Sequence, residues 1–239
     1  MNGVDTETVV VGELTAHLAR PVDWTVGNGA MLVLPMITGI DSQVRGFAAD
    51  IAAAGMTALV WDPWHGPTAD DTPRPRLFEL MAGLDDDACL AEMDALLAYL
   101  RDELGFERIG VVGYCLGGRF ALLLGARYPL LRNVIAYHPS IWEPAAANHT
   151  RDAVTEAATI GAPVMVLHAG NDDILSAHTL GALRGALEAR ESGATIVHVY
   201  PGAEHGFSSP VRHGNPVNKA ASALSWPQAL AFAASTLAP

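Results

Sequence analysis

Thiols are scarce in this 239-residue chain, which has only Cys89 and Cys115. Neither lies in a CxxC pair or a Cys/His metal spacing. A disulfide framework is therefore excluded for a chain of this size, and no metal site is expected. Charge is sparse at 17% of residues, and basic charge is scarcer still: 14 Lys and Arg against 26 Asp and Glu give a formal net charge of −12. An acidic surface repels phosphate backbones, so nucleic acid is a poor partner. It does not forbid a small anion, because one local arginine outweighs a distant, salt-screened field. Apolar runs are short and interrupted, which argues against a transmembrane helix. The opening stretch Met1 to Thr8 is polar and acidic, so no signal peptide is expected there, and a cytoplasmic location is the default reading.

What the chain has in quantity is apolar residues, 50% of the total, enough for a sizeable core. No repeat, low-complexity tract or linker interrupts it, so one domain over residues 1–239 is expected. Short β-rich runs alternate with helical patterns, the mark of a mostly parallel, doubly wound sheet flanked by helices. Strands are expected at Ala30 to Leu34, Thr57 to Trp61, Arg108 to Val112, Asn133 to Tyr137, Pro163 to His168 and Thr195 to Tyr200, with one or two more within Glu7 to Ala19. Helices are expected at Ser42 to Ala54, Leu77 to Met81, Asp85 to Leu104, Leu116 to Arg127, Leu180 to Ser192 and Trp226 to Leu237. Asp62 to Pro75, rich in proline, reads as a loop.

The most informative segment is Gly113-Tyr114-Cys115-Leu116-Gly117-Gly118. A β run leads into G-x-C-x-G and a helical pattern follows, which is the nucleophile-elbow pattern with cysteine in place of serine. The glycines remove side chains that would clash at a strained turn. The following helix terminus favours a thiolate and a developing oxyanion. Cys89, among Ala88, Leu90 and Met93, reads as core packing.

A thiol nucleophile needs an imidazole to carry its proton. Seven histidines follow Cys115: His138, His149, His168, His178, His198, His205 and His213. His205 is preferred because it sits in a glycine-containing loop past a strand end, where active sites of parallel sheets collect. His198 lies inside its strand and reads as structural. The orienting acid is expected after the strand ending at His168, where Asp172 and Asp173 both qualify. One of them is expected to cap a turn or the next helix instead.

These segments resemble the dienelactone hydrolase family of the α/β-hydrolase fold. The likeness runs from about Met31 onward. It rests on GYCLGG at Gly113 to Gly118, HAGNDDILS at His168 to Ser176, and EHGF at Glu204 to Phe207. The resemblance aligns Asp172 as the acid. It implies opening of a small-molecule ester or lactone through an acyl-cysteine on Cys115, with His205 as base and the backbone N–H groups of Leu116 and Ile37 holding the oxyanion. No cofactor is implied, and a monomer or small homo-oligomer is expected. Two departures stand out. Met36 occupies the position of a family glutamate that helps to activate the thiol. Ser208 and Ser209 stand where the family carries a substrate-binding arginine, with Arg212 a little further on. Arg74 and Arg76 lie near a second family arginine, and Arg74 fits the spacing better. Trp61, Trp64, His65, Phe78, Tyr114 and Phe207 are candidates for a partly aromatic substrate pocket. The competing readings are a non-catalytic small-molecule-binding protein that kept the motif, which Met36 motivates, and a thiol redox role.

Overall fold

The computed structural model describes residues 3–238; Met1 and Asn2, part of the opening stretch read above, lie outside the described residues. A hairpin comes first. β1 (Val4–Val11) and β2 (Leu14–Pro21) pair antiparallel across a tight turn at Gly12. These are the two early strands expected within Glu7 to Ala19, and they extend further on both sides. The core strands follow: β3 (Ala30–Leu34), β4 (Thr57–Val60), β5 (Ile109–Tyr114), β6 (Val134–Tyr137), β7 (Val164–Asn171) and β8 (Thr195–Glu204). All eight form one sheet in the order β1-β2-β4-β3-β5-β6-β7-β8. The pairings from β4 through β8 are parallel, and β2 joins β4 antiparallel. The chain enters at β3, steps to β4 on one side, then crosses back to β5 on the other. The carboxyl ends of β3 and β5 therefore flank the topological switch point, where open α/β sheets bind ligands.

Helices cover both faces. α1 (Ser42–Ala53) and the C-terminal α7 (Pro216–Leu237) pack on one; α3 (Asp86–Ala98), α4 (Leu116–Arg127), α5 (Ala153–Ala157) and α6 (Ala177–Glu188) pack on the other, and α2 (Arg74–Ala82) lies near the carboxyl ends. Strand alternation divides the core accordingly. Leu32, Val111, Ala136 and Val166 face the α4 side, while Met31, Val33, Val112 and Ile135 face α1 and α7. β3 reads as an unbroken apolar run because both of its faces are covered.

Several elements depart from the sequence expectation: β8 runs on through Glu204, over residues read as a loop, α2 begins at Arg74 within the expected loop, and α6 spans Ala177–Glu188 where Leu180 to Ser192 was expected. The long helix from Asp85 stops being α at Ala98 and ends in a π turn, Tyr99–Glu103, before Gly105 at φ 78°. α7 begins ten residues before Trp226, capped by Asn215, and runs through Pro227. The buried stripe Ala221, Ser225, Ala229, Ala233 and Leu237 holds it to the sheet despite the N–H that proline lacks. The short α5 has too few residues to show a period.

The three aspartates opening α3 do three different things. Asp85 caps the helix by accepting from the Ala88 N–H at 2.8 Å. Asp87 meets Arg151 at 2.9 Å on the surface. Asp86 is buried and receives both terminal nitrogens of the equally buried Arg119, each at 2.7 Å, and the Arg151 N–H at 3.0 Å. That bidentate pair ties α3 to α4, the helix that carries the elbow. Removing one partner strands the other charge in the interior. Asp86→Ala is expected to cost about 3–5 kcal/mol of stability by urea unfolding, whereas Asp87→Ala should cost within about 1 kcal/mol.

Candidate active site

β5 ends at Tyr114 and α4 begins at Leu116, leaving Cys115 as the single residue of the turn. Its φ of 53° with ψ of −111° is a strained, left-handed conformation for a side-chain-bearing residue. The flanking glycines are required by backbone contact. A Cβ on Gly113 would fall 2.0 Å from the Gly117 carbonyl oxygen, and one on Gly117 would fall 2.1 Å from that of Leu34. The Gly117 N–H donates to Pro35 O at 3.0 Å, locking the loop after β3 against the elbow.

His205 sits where β8 gives way to a turn, and its buried ring brings Nε2 to 3.1 Å from the Cys115 sulfur. Its Nδ1 lies 3.0 Å from each carboxylate oxygen of Asp172, whose side chain is fully buried. Asp172 also accepts the Ile174 and Leu175 N–H groups at 2.8 and 3.1 Å. The carboxylate that meets His205 and the cap of the turn are therefore one residue, where the sequence suggested that Asp172 and Asp173 divide the two tasks. Asp173 is exposed, and Ser176 caps α6.

The electrostatics follow from these contacts. Burial is the largest single influence and pushes the Cys115 thiol up, while the adjoining His205 charge pulls it down. Hydrogen bonds from His205, the Ser140 hydroxyl and the Leu116 N–H add to that effect, and the thiol is held below its ordinary range. Burial works against the imidazolium too, yet the thiolate and the Asp172 carboxylate raise His205 to about 10. Asp172, despite its burial, is held below the usual carboxylate range by its bond and charge interaction with His205. Both shifts favour thiolate and imidazolium over the neutral pair. Cys89 has the opposite environment: burial and nearby carboxylates push it up to about 12, as suits a packing residue.

The sulfur opens on a cavity of about 550 Å³ bounded by the loop after β3, the start of α1, α2 and the turn after His205. Met36, Ile37, Leu77 and Val211 give it much of its apolar lining. Among the described residues no backbone oxygen takes the Ile37 N–H, and Leu116 opens α4 with its N–H free of the helix. The Trp64 indole donates to Ile37 O at 2.9 Å and so fixes that peptide from behind.

Not every candidate reaches the cavity. Arg74 and Arg212 line it, and neither has a carboxylate partner among the described residues. Arg76, two residues on from Arg74, turns to solvent and pairs with Glu79 at 2.9 Å. Tyr114 is fully buried on the α1 and α7 face, stacked on Phe47 at 4.6 Å, because strand alternation sends it away from Cys115. Phe207 is buried against Tyr137, His138 and Tyr200. Trp61 and His65 both bond Glu92, and Phe78 is exposed under the Arg74 guanidinium. The expected aromatic pocket is thus aliphatic and polar instead. Of the rival histidines, His168 is buried, His198 is half-buried in β8 and His213 contacts Phe207 O.

One contact was not foreseen. Ser140, three residues past the end of β6, places its hydroxyl 3.0 Å from the Cys115 sulfur. A lone serine after a proline in a strand-exit loop carries no sequence pattern that distinguishes it from a turn residue.

A parallel sheet of this order, with a thiol on its strand-to-helix elbow and an imidazole arriving from the loop after the last strand, has the fold of the α/β-hydrolases. Within that class the chain belongs to the dienelactone hydrolase family, whose model matches residues 14–237. It is 28% identical over 208 residues to the carboxymethylenebutenolidase of Rhodococcus opacus, covering 86% of this chain and 81% of that one. It is also 28% identical over 202 residues to a Bradyrhizobium protein described as a "Probable 2-oxo-3-(5-oxofuran-2-ylidene)propanoate lactonase", covering 82% and 80%. A Klebsiella pneumoniae structure described as a "Putative Dienelactone Hydrolase" superposes with a TM-score of 0.85 at 25% identity, covering 98% of this chain and 99% of that one. The chain is a hydrolase of dienelactone hydrolase type. No helix among the described residues is long and apolar enough to cross a membrane.

Proposed function

We propose that the chain hydrolyses a small ester or lactone through an acyl-cysteine on Cys115, with His205 carrying the proton and Asp172 orienting it. The observation that supports this most is the 3.1 Å approach of the His205 Nε2 to a sulfur held on the elbow and facing a cavity. The Cys115 thiolate adds to the substrate carbonyl carbon. The N–H groups of Leu116 and Ile37 take the oxyanion. As the tetrahedral adduct collapses, the carbon–oxygen bond of the ester breaks and the His205 imidazolium gives its proton to the departing oxygen. A lactone opens at this point without losing a fragment. Neutral His205 then takes a proton from water, which attacks the thioester. Release of the acid returns thiolate and imidazolium together.

Met36 does not undermine this. It lies buried in the cavity wall and offers no carboxylate, yet the resting thiolate draws its stabilisation from His205, Ser140 and the start of α4. The substrate meets an aliphatic lining. Arg74 and Arg212 also line the cavity, where a carboxylate on the substrate would find a planar partner.

Iodoacetamide tests this reading. Alkylation should abolish hydrolysis of activated aryl esters and enol-lactones in proportion to the fraction of Cys115 modified. The labelling rate should stay near its plateau at neutral pH and fall only as pH drops through the depressed thiol value. An ordinary thiol, titrating near about 8.5, would lose tenfold per pH unit well above that point. Turnover should fall again as pH rises through about 10, where His205 gives up the proton the leaving oxygen needs. A fully alkylated protein that still turns over would sink the proposal. A non-catalytic binder would retain ligand without turnover at any pH.

A further inference from the structure

We propose that Ser140 is a positioning residue for the nucleophile: its hydroxyl donates to the Cys115 thiolate and, together with His205, fixes the sulfur in its reactive orientation. The inference rests on the reading of Cys115 as nucleophile and adds a residue to it.

The backbone commits Ser140 to this place. β6 ends at Tyr137, and His138 adopts a φ of 32°, a left-handed kink that a β-carbon resists. The kink turns the chain across the elbow. The Cys115 N–H donates to Tyr137 O at 3.0 Å, the His138 N–H to Leu167 O at 2.7 Å, and the Ser140 N–H back to Cys115 O at 2.9 Å. Ser140 therefore grips the same residue twice, by its N–H at the carbonyl and by its Oγ at the sulfur, 3.0 Å away. The hydroxyl is buried, and the sulfur is its one hydrogen-bond partner among the described residues. With a thiolate as that partner, the hydroxyl must be the donor. A free thiolate would rotate about its Cα–Cβ bond. One held by His205, Ser140 and the Leu116 N–H is not free to do so.

The same turn serves His205. The His138 ring packs perpendicular to the His205 ring with centroids 5.1 Å apart, and its Nε2 shares a 2.8 Å hydrogen bond with the Ser208 hydroxyl. Burial, and then the His205 charge, hold His138 well below its ordinary value, so this neighbour stays neutral beside the imidazolium. The titratable groups around the sulfur are thus His205 from the β8 turn, Asp172 behind it after β7, neutral His138 after β6, and His168, whose burial keeps it low. Asp41, Asp70, Arg74 and Arg212 also line the cavity. Ser140 supplies the one uncharged side-chain donor to the sulfur among the described residues.

The test uses the pH dependence of the reaction of the full-length protein with 2,2′-dithiodipyridine, a disulfide that reports thiolate attack. Losing a donor to a charged acceptor should move the midpoint of the Ser140→Ala profile up by about one pH unit. A more basic thiolate is also a better nucleophile, so the alkaline plateau should rise by roughly threefold. The two profiles should therefore cross, with the variant slower in acid and faster in alkali. Ser140→Thr, which keeps the hydroxyl, should restore the wild-type midpoint, and Ser140→Gly serves as the second hydroxyl-free variant if the alanine form does not fold. Profiles that superpose, or a rate lowered equally at every pH with an unmoved midpoint, would overturn the inference and leave Ser140 as a packing residue. Ester turnover surviving in Cys115→Ala would be a different failure, that of the nucleophile assignment itself.

Discussion

Cys115→Ala is expected to lower kcat/KM for aryl-ester and enol-lactone hydrolysis by roughly 10,000-fold, or about 5.4 kcal/mol of transition-state stabilisation. The size follows from what is lost. Without the sulfur no covalent intermediate forms, and His205 has no thiolate beside it to hold its proton. What survives is the cavity and the two N–H groups, which bind and polarise a carbonyl but do not attack it. The variant should fold normally. Alanine meets the same strain at φ 53° that cysteine already bears, and the removed sulfur borders the cavity and gives up its contacts with His205 and Ser140. Equal thermal midpoints with collapsed turnover would separate chemistry from folding. Turnover within about tenfold of wild type would mean that another group does the chemistry.

Asp172→Asn is the second large effect, an expected fall of about 1,000- to 10,000-fold in kcat/KM. Asparagine keeps an oxygen for the Ile174 and Leu175 N–H groups, so the turn after β7 should hold. Its amide nitrogen, however, donates where the carboxylate accepted. The His205 Nδ1 must then become the acceptor, and the remaining ring proton sits on Nε2, facing the sulfur. A neutral imidazole of that tautomer cannot take a proton from water. The loss of a fully buried negative charge also removes support for the imidazolium, so His205 should titrate lower and the alkaline limb of the activity profile should move down in pH. Asp173→Asn, one residue on and exposed, is expected to change neither turnover nor profile. The contrast between the neighbours checks the assignment directly by steady-state kinetics.

Much of this geometry was legible in the residues because it is written in local pattern. Gly113-Tyr114-Cys115-Leu116-Gly117 announces an elbow since only glycine survives backbone approaches of 2.0 and 2.1 Å, and the strand and helix around it are long enough to show their periods. His205 was reachable from the rule that loops after parallel strands converge at the carboxyl edge, a rule that leaves Asp172 and Asp173 both open. What the pattern does not encode is which way a side chain faces once several elements meet. Tyr114 adjoins the nucleophile in sequence and lies on the opposite face of the sheet. Phe207 follows His205 by two residues and belongs to the core. Arg74 fits the family spacing better than Arg76, and α2 turns the first to the cavity and the second to Glu79. Ser140 was invisible for the same reason: its role comes from the His138 kink, a backbone event with no residue signature. One carboxylate can meet both the turn N–H groups and the imidazole because its oxygens carry four lone pairs, a sharing that residue type alone does not reveal.

The most direct test of the central claim is intact-protein mass spectrometry after mixing with an activated aryl ester and quenching in acid within the first turnovers. The account predicts a mass increase of one acyl group, mapped to the peptide containing Cys115, that decays as hydrolysis proceeds and is absent in Cys115→Ala. Turnover with no adduct at any time, or an adduct on another residue, would contradict it.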